Sequence, residues 1–177
     1  RLFAAQPKRR DIIVCNLPSA GRTEYVKRLI GLPGDKIQVT HGRLIINGEM
    51  VPREPIAPSQ TVNHFNKPEE APQYLETLPG GVQHKIIQID GDDGTFDNTK
   101  VYEVPPGHYF MMGDKLDQSR DSRPPGDPGG FGAVPFSNLV GRAEVTFFSN
   151  AHWKPARALW PTPLDGLRAT AVAPVRP

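Results

Sequence analysis

The segment EYVKRLIGLPGDKIQ, residues 24–38, decides the fold class of this 177-residue chain. Its first seven residues are rich in aromatic and branched apolar side chains, which is typical of a strand. Pro33 and Gly34 follow, and they supply the preset first corner and the positive φ that a type II turn requires. The segment therefore predicts a strand, a tight turn and a second strand, with one lysine, Lys27, inside the first strand.

The same alternation of short apolar runs and turns extends on both sides of this segment. Residues 36–51, KIQVTHGRLIINGEMV, predict a hairpin that turns at His41-Gly42, a second turn at Asn47-Gly48 and a further short strand. Other apolar runs predict strands in DIIVCNL (11–17), RTEYVKRLI (22–30), VYEVPPGHYFMMGD (101–114) and RAEVTFFSN (142–150). The chain is therefore expected to be all-β, in antiparallel sheets that form a partly open, barrel-like core.

The region between these strands has a different composition. Residues 52–100 are polar and rich in Pro, Glu and Asn, and only 82–90, VQHKIIQID, predict a clear strand. We interpret 52–100 as an inserted β or irregular excursion. Residues 1–51 and 101–150 then form the β core, and 151–177 form a C-terminal tail docked in part through its two tryptophans.

Composition limits the functional classes. The net charge is only +2 and no basic stripe is present, which argues against nucleic acid as a partner. The single cysteine, Cys15, excludes an internal disulfide, and its apolar setting favours a small buried side chain. The five histidines lack metal-ligand spacing, so we predict neither a metal nor another cofactor.

Lys27 has two interpretations. In a strand it shares a face with Tyr25 and Leu29, and an edge lysine there can extend its amine to solvent. Alternatively it is a general base, which requires an uncharged amine. A lysine with an ordinary pKa of ~10.4 is neutral in only about 1 molecule in 2,500 at pH 7, and apolar burial raises that fraction by lowering the pKa.

A second polar cluster lies in MMGDKLDQSRDSR, residues 111–123. Its aspartate spacing does not fit an EF-hand, and neither does DGDDG at 90–94. A solvated loop is one interpretation. The other is a network in which carboxylates and guanidiniums fix the loop and direct a serine hydroxyl at a neighbour.

Together these segments resemble a known family. YVKRLIGLPGD (25–35), MMGDKLDQSRDSR and FGAVPFSNLVGRA (131–143), preceded by KRRDIIVCNLP (8–18), resemble the bacterial type I signal peptidases, Ser/Lys proteases of the S26 family, over roughly residues 7–150. The resemblance implies a signal-peptidase-type fold. It also implies a domain on the periplasmic face of the bacterial inner membrane that removes signal peptides from exported preproteins without a cofactor.

The resemblance also assigns residue roles. Lys27 matches the general base, and Ser119 matches the serine that orients its amine. Asp121 matches an acid that pairs with Arg123 and with Arg28. The remaining matches are Gly113 and Asp114 at the start of the loop, Asp11 at the start of its block, Val14 and Val26 in small substrate pockets, and the strand edge Glu24, Tyr25 and Val26.

Two departures from the family pattern matter. The nucleophile lies in a Ser-Met-x-Pro block upstream, and neither that block nor a membrane anchor occurs in this sequence, so we expect no hydrolysis by this polypeptide alone. Lys115-Leu116-Asp117-Gln118 stands where the family commonly has Asn-Arg-Asp-Asn. Two alternatives remain open: a specialised maturation peptidase of the same clan, and a non-catalytic β-domain that binds extended peptides.

Overall fold

The computed structural model describes residues 6–16, 23–62, 68–92, 94, 97–123, 130–143, 145–146 and 157–158. The regular structure of these residues consists of strands and two short 3₁₀ helices, Leu116–Gln118 and Phe136–Asn138. The strands, in chain order, are β1 Ile12–Asn16, β2 Glu24–Gly31, β3 Lys36–Thr40, β4 Arg43–Ile46, β5 Glu49–Met50, β6 Arg53–Val62, β7 Pro68–Leu78, β8 Val82–Ile87, β9 Tyr102–Glu103, β10 His108–Met112, β11 Val134–Pro135, β12 Leu139–Arg142, β13 Val145–Thr146 and β14 Arg157–Ala158.

All named strand pairs are antiparallel, and the sheets do not close into a barrel. Five strands form the first sheet in the order β11-β10-β2-β1-β12. The second sheet has the order β5-β4-β3-β9, and the third has the order β6-β7-β8. The predicted all-β class is confirmed.

The turns lie where the sequence predicted them. Gly34 has a φ of 87°, and the amide of Asp35 donates to the carbonyl of Leu32, which closes the turn between β2 and β3. The pairs His41-Gly42 and Asn47-Gly48 each have two consecutive positive φ values, as a type I′ hairpin turn requires. These turns fix the register of β3, β4 and β5.

The prediction for the region after residue 51 was incomplete. It identified β8 but not β6 and β7, which together run from Arg53 to Leu78 apart from the segment 63–67. Prolines concealed these strands, because proline is tolerated on an edge strand or at a bulge but is normally evidence against a strand. β6 is such an edge strand, and its register with β7 shifts between Ile56 and Ser59.

The predicted last core strand is also divided. β12 ends at Arg142, and β13 pairs with β14 in a separate two-stranded sheet. The chain forms two compact units, Arg1–Ala143 and Glu144–Pro177. The tryptophans of the C-terminal tail lie outside the described residues, and the division into a core, an excursion and a tail remains a prediction.

The alternation of side chains along β2 separates two hydrophobic clusters in the first unit. The first cluster joins the first sheet to the other two sheets and contains Ile30, Ile37, Val39, Leu44, Ile46, Val51, Leu78, Ile86, Val104, Phe110, Met112 and Leu116. The second lies on the opposite face of β2 and contains Ile13, Cys15, Leu29, Tyr109, Met111, Val134 and Leu139. Lys27 shares the face of Leu29, whereas Arg28 shares the face of Ile30.

Candidate active site

Lys27 lies near the middle of β2, directly opposite Ile13 of β1. Its side chain is half-buried, and its Nζ donates a hydrogen bond of 2.6 Å to Oγ of Ser119, 92 residues further along the chain. The predicted partners are therefore brought together. An amine extended into solvent does not describe this contact, because Nζ is held against a buried hydroxyl.

The surroundings of Lys27 lower its pKa below the ordinary value of 10.5. Burial is the largest cause, because the charged amine loses hydration. Arg123 acts in the same direction, whereas the carboxylates of Asp121 and Asp114, and Cys15 when it is ionised, raise the pKa. The setting thus favours the uncharged amine that a general base requires.

Ser119 is buried in the segment 113–123, which we call the Ser119 loop. This loop follows β10 and contains the 3₁₀ helix Leu116–Gln118, after which Ser119 is extended. A Cβ on Gly113 would lie 2.1 Å from Oγ of Ser119 and 3.4 Å from Nζ of Lys27. Only glycine leaves room at this position for the hydroxyl and the amine to meet.

Asp121 and Arg123 form a buried two-pronged ion pair in the same loop. Nε and one terminal nitrogen of Arg123 donate to the two carboxylate oxygens of Asp121, at 2.8 and 2.9 Å. The guanidinium also donates to the carbonyls of Leu116 and Ser119, at 2.8 and 3.0 Å. The predicted Asp121–Arg123 contact therefore exists, and it fixes the backbone on both sides of the serine.

The prediction that Asp121 pairs with Arg28 was wrong. Arg28 instead donates two hydrogen bonds of 2.7 Å to Asp114. The reason is strand alternation: Arg28 projects from the face of β2 opposite to Lys27, and its register partner on β10 is Met112, two residues before Asp114. Each face of β2 thus holds one part of the Ser119 loop.

The sequence did not reveal how the three-stranded sheet holds this loop. The amide of Ile87, at the end of β8, donates to the carbonyl of Asp114 at 2.8 Å. The buried carboxylate of Asp117 accepts from the amides of Ile89 and Asp90. The sequence contained one indication that Asp117 has a structural role. Asp117 retains the aspartate of the family pattern, whereas its neighbours differ from that pattern.

The predicted substrate strand is the N-terminal half of β2. Val14 and Val26 are direct register partners, and Val26 is 60% exposed. Strand alternation places both valines on the face opposite to Lys27. Glu24 is exposed, and the Tyr25 ring packs 6.3 Å from that of Phe131 between centroids.

Asp11, just before β1, and Cys15, within β1, are both buried. Asp11 is buried, accepts from the amide of Lys8 at 2.9 Å and lies 3.9 Å from Arg142. Cys15 is a free, buried cysteine, as predicted. Burial raises the pKa of its thiol to about 11, although the charge of Lys27 opposes the rise.

Two further properties concern the described residues alone. They contain no group of three or more His, Cys, Asp or Glu side chains placed to hold a metal ion. No helix among them has the length and apolar character needed to cross a bilayer.

The described residues therefore bring a half-buried lysine of lowered pKa into hydrogen-bond contact with a buried serine, within an antiparallel β fold. The family model for signal peptidase, peptidase S26, matches residues 3–148, and the chain belongs to this family. It is 40% identical over 157 residues to a signal peptidase I from Rickettsia canadensis and 38% identical over the same length to one from Rickettsia typhi.

These alignments cover 84% of this chain and 55% of each relative, so the chain spans about half the length of the curated relatives it matches. Among solved structures, a signal peptidase I from Enterococcus faecalis V583 is 24% identical with a TM-score of 0.44. That comparison covers 78% of this chain and 97% of the other.

Proposed function

We propose that this chain carries the general-base half of a signal peptidase that removes signal peptides from exported preproteins. The observation that carries the proposal is the 2.6 Å contact between the Lys27 amine, whose pKa burial lowers, and the buried Ser119 hydroxyl. Membership of the S26 family supports the substrate class. The family's location, the periplasmic face of the bacterial inner membrane, is proposed for this protein on the same ground.

Lys27 would act as a proton carrier. The uncharged amine takes the proton of a nucleophilic serine, whose oxygen bonds to the scissile carbonyl carbon. The protonated amine then returns the proton to the leaving nitrogen as the peptide bond breaks. The same amine then deprotonates a water molecule, whose oxygen bonds to the ester carbon, and it returns that proton to the serine oxygen as the ester bond breaks. Ser119 orients the amine and takes no part in bond formation.

The nucleophile must come from a Ser-Met-x-Pro block of the family type, which these 177 residues do not contain. We therefore propose the activity for a protein in which such a block precedes these residues. The proposal assigns this chain the base, the residue that orients the base and part of the substrate site.

β2 supports binding of an extended substrate by strand addition. β10 pairs with β2 only at Arg28 and beyond, so among the described residues the β10 side of Glu24–Lys27 has no strand partner. A signal peptide segment laid along this edge would place its scissile bond near Lys27. Val14 and Val26 are proposed to contact its small side chains.

The proposal is tested by Lys27→Ala in the full-length enzyme. We expect preprotein processing to be abolished, with an unchanged circular dichroism spectrum. Lys85→Ala is the matched control, because Lys85 is an exposed lysine on β8. Processing at the normal rate by the Lys27 variant would exclude a role as general base. If that variant and the parent both bind extended peptides and neither cleaves, a non-catalytic peptide-binding domain is favoured.

A further inference from the structure

A buried pair of titratable side chains lies on the three-stranded sheet, away from Lys27. Glu76 of β7 and His84 of β8 face each other directly in the register. Oε2 of Glu76 lies 3.3 Å from Nε2 of His84, and both side chains are only 4% exposed. Neither ring nitrogen of His84 has a hydrogen-bond partner in this structure. Burying polar groups without hydrogen-bond partners costs free energy.

The pair is packed against the start of the Ser119 loop. Glu76 and His84 line a small cavity of about 10 Å³ together with Met112, Gly113 and Asp114. β8 also contacts the loop directly through the hydrogen bond from the amide of Ile87 to the carbonyl of Asp114. A movement of the loop away from this sheet would expose the pair to water.

Such a movement would reach the candidate active site. Gly113 is the part of the loop against which the Ser119 side chain packs, because a Cβ there would overlap it. Ser119 in turn holds the amine of Lys27. The packing of Glu76 and His84 therefore influences how firmly the serine is held against the lysine.

Four charged side chains of the surrounding elements influence the pKa values of the pair. They are Arg28 of β2, Arg43 of β4, Arg53 of β6 and Asp114 of the Ser119 loop. Burial nevertheless dominates. It raises the pKa of Glu76 to about 7 and lowers the pKa of His84 to about 4.

We propose that Glu76 and His84 are a positioning pair for the Ser119 loop, which keeps the loop equally well closed across mildly acidic pH. The pair touches no reacting atom, so it acts through Gly113 and Ser119. Its importance for catalysis rests on the proposed function, whereas its effect on the loop does not.

The ease of loop opening stays constant with pH because protonation of Glu76 and protonation of His84 affect it in opposite directions. In an opened loop the pair is hydrated and titrates at ordinary pKa values of 4.5 for Glu76 and 6.5 for His84. Glu76 alone would make opening up to about tenfold easier per pH unit as the pH rises from 4.5 to 7, because the closed state binds its proton more tightly. His84 alone would make opening harder by the same factor between pH 4 and 6.5. Together the two effects cancel between 4.5 and 6.5.

Amide hydrogen exchange on the full-length protein tests this cancellation. The reporters are the amides of Ile87 and Ser122, which donate to the carbonyls of Asp114 and Met111. The amides of Leu29 and Ala143, in hydrogen bonds of the first sheet, serve as references. The variants are Glu76→Gln, His84→Gln and the double variant. Glu54→Gln is the matched control, because Glu54 is an exposed carboxylate on β6.

Opposite slopes are expected in the two single variants. In Glu76→Gln, reporter protection rises by up to about tenfold per pH unit from 4 to 6.5, and in His84→Gln it falls by the same factor from 4.5 to 7. The parent, the double variant and the control stay flat between 4.5 and 6.5. Either single variant suffices for the test if the other does not fold.

Flat profiles in the single variants would overturn the proposal. Equal slopes at reporters and references would overturn it as well, because the pair would then affect only the whole unit. Preprotein processing by Lys27→Ala separates this result from the proposed function. Opposite slopes with processing retained would support the positioning pair and exclude Lys27 as the general base. Flat slopes with processing lost would exclude the pair and support Lys27 as the general base.

Discussion

Gly113 shows how a single residue controls the candidate site. Its missing side chain leaves the space in which Ser119 Oγ and Lys27 Nζ come together. Lys27 itself illustrates a conflict between stability and function, because burial penalises the charged amine but favours the base. Both effects act within one hydrogen bond, so substitutions at this scale should alter catalysis more than folding.

We expect Gly113→Ala to disrupt the Lys27–Ser119 contact. The added Cβ would lie 2.1 Å from Oγ of Ser119, so the serine must move, at a cost of about 1–3 kcal/mol for overpacking. NMR titration of the Lys27 side chain should show its pKa rising towards 10.5, because the displaced amine gains water. Gln83→Ala, a substitution at an exposed position of β8, serves as the control, and an unchanged Lys27 titration in Gly113→Ala would contradict the prediction.

Lys27 should also give the protein a characteristic pH dependence. Its folded pKa is below the unfolded value of 10.5, so the unfolded chain binds more protons between those two values. Lys27 therefore destabilises the fold at neutral pH, and this penalty disappears as the pH rises towards 10.5. We expect the free energy of unfolding of the parent to increase relative to Lys27→Met over that range. Urea titrations of both proteins at several pH values measure it, and a constant difference would contradict it.

At the scale of elements, two ion pairs hold the Ser119 loop, and they differ in burial. Asp121 is fully buried with Arg123, whereas the side chain of Asp114, paired with Arg28, is 46% exposed. A buried charge that loses its partner is far more costly than an exposed one, which water can solvate. The buried pair should therefore dominate the stability of the loop, although both have good geometry.

We expect Asp121→Asn to lower the free energy of unfolding by about 3–5 kcal/mol, because it removes the carboxylate charge from a fully buried ion pair with Arg123. Asp114→Asn makes the same chemical change at the exposed pair and should cost about 1 kcal/mol or less. Chemical denaturation of both variants gives the comparison. Equal losses would show that burial does not set the importance of these pairs.

At the scale of the whole molecule, one hydrophobic cluster joins the three sheets of the first unit. It includes Ile30 of β2, Leu44 of β4 and Leu78 of β7, together with Leu116 of the Ser119 loop. The loop is thus part of a shared core, and the three-stranded sheet contributes to the environment of the site. Folding of that sheet and order in the loop should be coupled.

We expect Leu78→Ala to destabilise the whole first unit by about 2–5 kcal/mol, because it opens a cavity in this cluster. Unfolding followed by circular dichroism and by the Lys27 NMR signal should give one coincident transition. Gln83→Ala, an exposed neighbour on β8, is the control and should change little. Separate transitions would show that the three-stranded sheet unfolds independently of the site.

The sequence by itself determined the strands β1–β5, β8 and β10, their turns, and the pairing of Lys27 with Ser119 through its resemblance to a family. These features depend on local patterns: apolar runs, residues suited to positive φ, and short motifs. β6 and β7 were missed because prolines and polar residues conceal an edge strand and its bulge. Only the tertiary structure decided that Arg28 pairs with Asp114, that Gly113 makes room for the serine, and that Glu76 meets His84 beneath the loop. Such contacts depend on which face of a strand a side chain occupies and on which distant strand lies opposite, and no local pattern encodes either.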